Sequence, residues 1–329
     1  FWPNSMNATS THDSKRGEDI RARINILSEI PEEWNEQVKN WAKINKHLKE
    51  TYENETIPDA NDEYLFYQTL LGSFQADEDP EQYKTRVSEF MLKAIREAKV
   101  HTDWIAYNSA YEKGLLTFIQ RVLDHKESSK FFDEFIPFQK KIAKYGLYNS
   151  LSQVLIKITS PGVPDFYQGT ELWDLNLVDP DNRRSVDFDK RIRLLNELKL
   201  VPISEFPDFI RILISKWEDG RIKMFLIYRC NKTRNDRPEL FKRGAYIPIA
   251  CGGEFKENIV AFARKTDSQW ALVAVPRFLT DVIEEDQIPV SRKIWADTFI
   301  QLPEDLPVAE NSWYNVITGE SLQLDNQIM

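Results

Sequence analysis

His12 and Asp13 stand side by side near the start of the chain. An ionised aspartate only accepts hydrogen bonds, on two oxygens; an imidazole donates from one nitrogen and accepts on the other. Alone, such a pair reads as an ordinary surface loop. Its setting says more. Residues 4–13 are small and polar, a short strand end plus loop, and a charged helix comes next. An α/β-barrel places its catalytic groups in that arrangement, at the C-terminal ends of its strands. Lys15 and Arg16 lie at the helix start, where the dipole disfavours cations, so a ligand-facing role competes with a solvated helix end.

Periodicity supplies the elements that must position these groups. Gly17–Leu27 opens with Glu18 and Asp19, anions suited to a helix N-terminus, and carries Ile20, Ile24 and Leu27 on one stripe. Pro31 interrupts it. Glu32–Lys49 reads as a second helix with Trp34, Val38, Trp41 and Ile44 on one side. After a loop at 56–61, helices are expected at 62–74, 81–99, 107–123 and 131–158, with little strand propensity anywhere in 17–158. The texture changes near 159. Residues 159–173 hold Pro161, Gly162, Pro164 and Gly169 and are loop-like, 179–184 are turn-rich, and 189–200 look helical. From about 220, β-rich runs are expected at 222–228, 245–249, 259–262 and 271–276. Glycines at 220, 244, 252 and 253 punctuate them, the spacing of an antiparallel β-sandwich. Ile317–Glu320 reads as a hairpin turn between late strands.

Composition narrows the function classes. At 329 residues the chain exceeds a usual single core, so two or more domains are expected. Hydrophobic residues at 42% and charged residues at 29% describe a globular chain, not a disordered one. A net charge of −9 argues against nucleic acid, which needs a basic face, and suits a neutral polar ligand such as a sugar. No apolar run approaches the ~18 residues of a membrane span. Cys230 and Cys251 form no C-x-x-C pair, and His12, His47, His101 and His125 show no metal-ligand spacing. No metal or other cofactor is expected. The start Phe1-Trp2-Pro3-Asn4, with neither initiator Met nor signal-peptide layout, reads as a processed chain or a fragment.

The run Thr9-Ser-Thr-His-Asp-Ser-Lys-Arg-Gly-Glu-Asp19, with Pro161-Gly-Val-Pro-Asp-Phe-Tyr-Gln-Gly-Thr-Glu-Leu-Trp173, resembles the C-terminal part of the maltooligosyl trehalose synthases, α-glucan-rearranging members of the α-amylase clan. The resemblance runs nearly end to end and is strongest over 4–26, 90–113 and 145–190. Asp179–Arg184, Arg96–Trp104, Phe262–Arg264 and Val275–Arg277 match as well. Gly17 and Ser185 stand where Ser and Pro would be expected. The implied fold class is α/β plus all-β: the C-terminal part of a (β/α)8 barrel with a large helical insertion, followed by an antiparallel β-sandwich domain. Residues 1–30 would be a late barrel strand and helix with the catalytic Asp, and 31–145 the helical insertion. Residues 146–200 would hold the last barrel strand region and helix, and 201–329 the β-sandwich.

By the same resemblance, Asp13 is the third of three catalytic carboxylates and hydrogen-bonds two hydroxyls of the sugar being cleaved, contacts that strengthen toward an oxocarbenium-like transition state. His12 binds the same sugar. Lys15, with Arg16 beside it, orients the departing glucose. Tyr167 and Gln168 face sugar at the barrel mouth, with packing as the competing role for Tyr167. His101 and Trp104 contact glucan, with a helix-end or core histidine as the competing role for His101. Asp179–Arg184 is a structural, salt-bridged loop.

The implied reaction is intramolecular: the reducing-end α-1,4 linkage of a maltooligosaccharide becomes an α,α-1,1 linkage, in trehalose biosynthesis, in the cytoplasm. Its nucleophile and acid/base, ~5–5.5 Å apart in a retaining enzyme, would come from strands preceding the His-Asp strand. The expected partners are therefore a maltooligosaccharide and the missing N-terminal half of the same enzyme, with no nucleic acid and no membrane. Two alternatives stand beside this: a catalytically incomplete chain that only binds α-glucan or acts as a scaffold, and an α-amylase-type hydrolase. Lys15-Arg16 and the helical insertion disfavour the second.

Overall fold

A computed structural model describes residues 4–307, 313–324 and 327–328. Phe1–Pro3, part of the N-terminal run read above, lie outside the described residues, as do 308–312, 325, 326 and 329 of the expected β-sandwich. In chain order the elements are β1 (Met6–Ala8), α1 (Glu18–Asn25), α2 (Pro31–Asn45), β2 (Glu50–Tyr52), β3 (Glu55–Ile57), α3 (Ala60–Ser73), α4 (Pro80–Ala98), α5 (Ser109–Val122) and α6 (Ser129–Thr159). Then come β4 (Val163–Asp165), α7 (Phe188–Leu200), α8 (Phe206–Ser215), α9 (Arg221–Asp236), α10 (Pro238–Arg243), β5 (Ala245–Ile249), β6 (Cys251–Gly252), β7 (Ile259–Lys265) and β8 (Trp270–Pro276). The last are α11 (Arg292–Trp295), β9 (Phe299–Gln301), β10 (Trp313–Tyr314), β11 (Ser321–Leu322) and β12 (Gln327–Ile328).

The helices start where side chains can accept their unpaired first amides. Asp59 accepts from Asp62 N at 2.8 Å, Asp79 from Gln82 N at 2.9 Å, Asn108 from Tyr111 N at 3.1 Å and Asp187 from Lys190 N at 2.8 Å. Pro31 and Pro80 occupy first-turn positions, where no amide is needed.

The chain divides into two compact units. One, residues 12–146 with 175–184, is helical and built round aromatic side chains. Trp41 is fully buried and meets Tyr67, Phe131, Phe135 and Phe138 at 5.4 to 5.8 Å between ring centroids. These edge-on contacts are the arrangement ring quadrupoles favour. Gly146 lets α6 approach α1: a Cβ there would lie 2.9 Å from Arg23 Cα. The other unit, residues 1–11, 147–174 and 185–329, mixes helix and sheet. β1 and β4 pair in parallel, with Ala8 opposite Asp165. The antiparallel sheets are β5-β7-β8 and β12-β9-β6, with a β10-β11 hairpin. Ile249, Ala261 and Ala263 from the first share a core with Ile300 from the second.

Two expectations are corrected. The run 222–228 is helix α9, not strand. Every residue from Ile222 to Ile227 is buried, five apolar and one lysine, and a helix segment buried on all sides loses the 3.6-residue signature that tells it from a core strand. The stretch 50–57 is a hairpin, β2–β3, between a helix read to Lys49 and a loop read from residue 56, where little strand propensity was expected. Its turn residues Glu53 and Asn54 both take positive φ, 49° and 69°, which matches the twist of paired strands. The turn expected at 317–320 is present: Asn315 Oδ1 accepts from the amides of Ile317 and Thr318, at 2.9 and 3.1 Å, between β10 and β11.

Candidate functional site

In the helical unit, a buried charge cluster holds the His12–Arg16 loop. Arg86 on α4 donates from Nε and Nη2 to the Asp181 carboxylate at 2.8 and 3.0 Å, and from Nη1 to Glu78 at 2.5 and 2.6 Å. Burial disfavours its charge, but the two carboxylates outweigh that and raise its pKa. Asp181 also accepts from Leu177 N at 2.7 Å, so the segment 175–184 is fixed to α4. That segment straps the loop: Asn182 Nδ2 donates to His12 O at 2.8 Å, Gly17 N to Asn176 O at 2.8 Å, and Arg16 forms a bridge with Leu177.

The strapped loop presents His12 and Asp13 to solvent. His12 Nε2 lies 3.1 Å from Asp13 Oδ2, with the side chains 64% and 83% exposed, so both can reach a ligand without unpacking anything. Lys15 Nζ pairs with Glu97 Oε2 at 2.7 Å. Arg16 turns inward over Phe90, 5.7 Å from the ring, and burial lowers its pKa. The first four predicted residues thus share one loop, three displayed and one packed.

Comparison with known proteins shows what the chain carrying this loop is similar to. No protein-family model matches the chain. A curated protein of Mycobacterium tuberculosis named maltooligosyl trehalose synthase is 33% identical over 320 residues, 97% of this chain and 35% of that protein. A crystal structure of a maltooligosyl trehalose synthase aligns with a TM-score of 0.75 at 33% identity, covering 98% of this chain and 38% of that one. The Arthrobacter ramosus maltooligosyltrehalose synthase aligns with a TM-score of 0.75 at 30% identity, covering 98% and 36%. The chain is homologous to the maltooligosyl trehalose synthases. It spans about a third of the length of the curated relatives it matches.

The other residues singled out in the sequence fall into two further places. His101 Nε2 lies 2.9 Å from Asp59 Oδ2 and its ring stacks on Tyr111 at 4.2 Å. Trp104 is 60% exposed, with the Arg96 guanidinium 4.9 Å from its ring. Arg96 in turn binds Glu112 at 2.6 and 2.8 Å. In the other unit, Tyr167 is half-buried and Gln168 exposed. Tyr167 O accepts from Thr170 N and Oγ1, and Arg191 Nη2 holds Gly169 O at 2.7 Å, which fixes the turn.

Sequence reading missed the groups that hold these residues. Glu97, Arg86 and Asn182 lie far along the chain from the residues they support, so no local spacing reveals them. Asp59, Asp62 and His101 bring three ligand-type atoms within 4.8 Å of one another, which the histidine spacing did not indicate. Their atoms serve other partners. Asp59 caps α3 and meets His101, and Tyr111 OH donates to Asp62 Oδ2 at 2.6 Å. Burial pushes the Asp62 pKa up, whereas Asp59 is held low because its amide and His101 bonds outweigh burial. The groove of about 570 Å³ lined by Lys84, Glu89, Gln120 and Glu127 contains none of the predicted residues.

Proposed function

We propose that the chain is the C-terminal part of a maltooligosyl trehalose synthase that converts the reducing-end α-1,4 linkage of a maltooligosaccharide to α,α-1,1. The observation that carries this is end-to-end homology at 33% identity, with His12 and Asp13 displayed on a strapped loop. In this reading β1 and β4 are late strands of a (β/α)8 barrel, 31–145 is its helical insertion, and the two three-stranded sheets form the β-sandwich. The rest of the enzyme supplies the nucleophile and the acid/base, and the reaction is cytoplasmic.

A carboxylate from that other part attacks the anomeric carbon, the acid/base of that part protonates the departing oxygen as the α-1,4 C–O bond breaks, and a glycosyl-enzyme forms. Asp13 and His12 hold hydroxyls of the sugar being cleaved. The released glucose stays bound at Lys15, with Arg16 fixing the loop behind it. Its anomeric hydroxyl attacks the glycosyl-enzyme, giving its proton back to the acid/base, closing the 1,1 bond and freeing the carboxylate. Tyr167, Gln168, His101 and Trp104 contact the glucan.

The test uses the full-length protein and maltopentaose. The wild type is expected to form a non-reducing product. Asp13→Asn should lower that rate roughly 10²–10³-fold, the several kcal/mol of contacts that strengthen in the transition state. Wild-type binding without conversion would replace this reading with a glucan-binding scaffold, and release of shorter reducing sugars with a hydrolase.

A further inference from the structure

We infer that Lys157 is a positioning residue for both loops of the proposed sugar site; the inference rests on the functional reading above. Lys157 lies on the last turns of α6 and is only 4% exposed. Its ammonium donates to Thr9 Oγ1 at 2.7 Å and sits 3.9 Å from the centroid of the Phe166 ring. These two residues occupy matching places. Ala8 and Asp165 are the last register pair of the parallel β1–β4 ladder, so Thr9 and Phe166 are the first residues to leave it on each strand. Lys157 bridges them at the C-terminal ends of the two strands, the end at which α/β folds carry their ligand-binding loops.

Each bridged residue leads directly into groups the reaction needs. His12 and Asp13 come three and four residues after Thr9, and Tyr167 comes directly after Phe166. Phe166 is further seated against the apolar cluster of Val154, Ile158, Leu226, Ile227 and Cys230. A methionine at 157 would fill the same space without the cost of burying an ammonium. Among the contacts its charge makes are a hydroxyl on one strand end and a ring face on the other, the second a cation–π contact strengthened by exclusion of water.

The experiment compares wild-type full-length protein with Lys157→Met, Lys157→Arg and Thr9→Val, by hydrogen exchange over 9–13 and 165–170 and by turnover of maltopentaose. Lys157→Met should exchange roughly tenfold faster in those two segments and at wild-type rates elsewhere. Its kcat should fall roughly tenfold with KM little changed, as for lost alignment in the transition state, and its hydrolysis share should rise. Lys157→Arg should restore part of both effects. Thr9→Val should reproduce the 9–13 effect and add nothing to Lys157→Met. Wild-type exchange in both segments in Lys157→Met overturns the proposal, as does unchanged kcat and product ratio. If Lys157→Met does not fold, wild-type behaviour of Thr9→Val overturns it. A wild-type enzyme that forms no non-reducing product defeats the functional reading instead, and the exchange pattern still decides the role of Lys157.

Discussion

The two units neutralise their buried cations differently. In the helical unit several buried or half-buried cations pair with carboxylates: Arg86 with Asp181 and Glu78, Lys49 with Glu63, Arg96 with Glu112; buried Arg23 donates instead to the carbonyls of Gly72 and Phe74. In the other unit several donate to backbone carbonyls, although Lys157 meets the Thr9 hydroxyl and Arg191 pairs with Glu171. Arg264, 1% exposed, donates to the carbonyls of Thr159, Phe241 and Gly244; Arg234 donates to Ile158 and Gly162; Lys223 donates to Leu172. Two of these carbonyls belong to the last turn of α6, where the helix dipole favours a cation. A carboxylate partner gives a strong, directional tie that acid can dissolve. A carbonyl partner is weaker per bond and has no proton to gain. The strap over the His12–Arg16 loop is anchored by the first kind of tie; the 160–173 segment is held by the second kind at Gly162, Gly169 and Leu172, with one carboxylate tie at Glu171.

The largest effect should come from Arg86→Met. It removes the buried donor and leaves the Glu78 and Asp181 carboxylates with only Arg184, 40% exposed and 3.9 and 2.9 Å away, a change that costs up to about 3–5 kcal/mol. Urea unfolding of the full-length protein should show it in the transition of the helical unit. Loss of the Arg86 tie should also free 175–184 and, through Asn182, the His12 loop. A stability within 1 kcal/mol of wild type, on the order of a typical surface change, would mean that the ion cluster does not hold the loop.

A smaller effect, and a sharper contrast, is expected from pH. The Arg96 hydrogen bond, opposed by burial and aided by Thr102 at 2.9 Å, holds the Glu112 carboxyl below its ordinary range. A group depressed in the folded state contributes stability that is complete above its unfolded pKa and is lost as the pH falls through its folded value. Acid should therefore speed amide exchange over 96–112 before it touches 159–173 or 221–243. Glu112→Gln should remove this acid sensitivity and lower stability at neutral pH. Equal acid responses in both units would erase the distinction between them.

How much of this was legible in the sequence depended on whether the signal was local. Helix starts were, because Asp59, Asp79 and Asn108 write their caps within three residues. The parallel pairing of Met6 with Val163, far apart in the chain, was not, and neither was the tie from Arg86 to Asp181, 95 residues away. Helix α9 was misread because burial on all sides removed its period. The β2–β3 turn was missed because Glu53 is an unusual residue for positive φ. His12 and Asp13 stood out through a motif, yet nothing near them announced Asn182 or Glu97.

The smallest change in stability should come from Lys15→Ala, and it separates display from support most cleanly. Lys15 and Glu97 form an exposed pair, 63% and 38% accessible, worth about 0–1 kcal/mol. Melting should scarcely move. If Lys15 retains the released glucose, the variant should leak it: maltopentaose would yield more free glucose relative to non-reducing product, while the first bond cleavage keeps its rate. Glu97→Gln frees the ammonium without removing it, so its product ratio should stay near wild type. A Lys15→Ala enzyme with an unchanged ratio would make the Lys15–Glu97 pair one more tie of the helical unit. A changed ratio at unchanged stability would place Lys15 with Asp13, among the residues the unit exists to hold out.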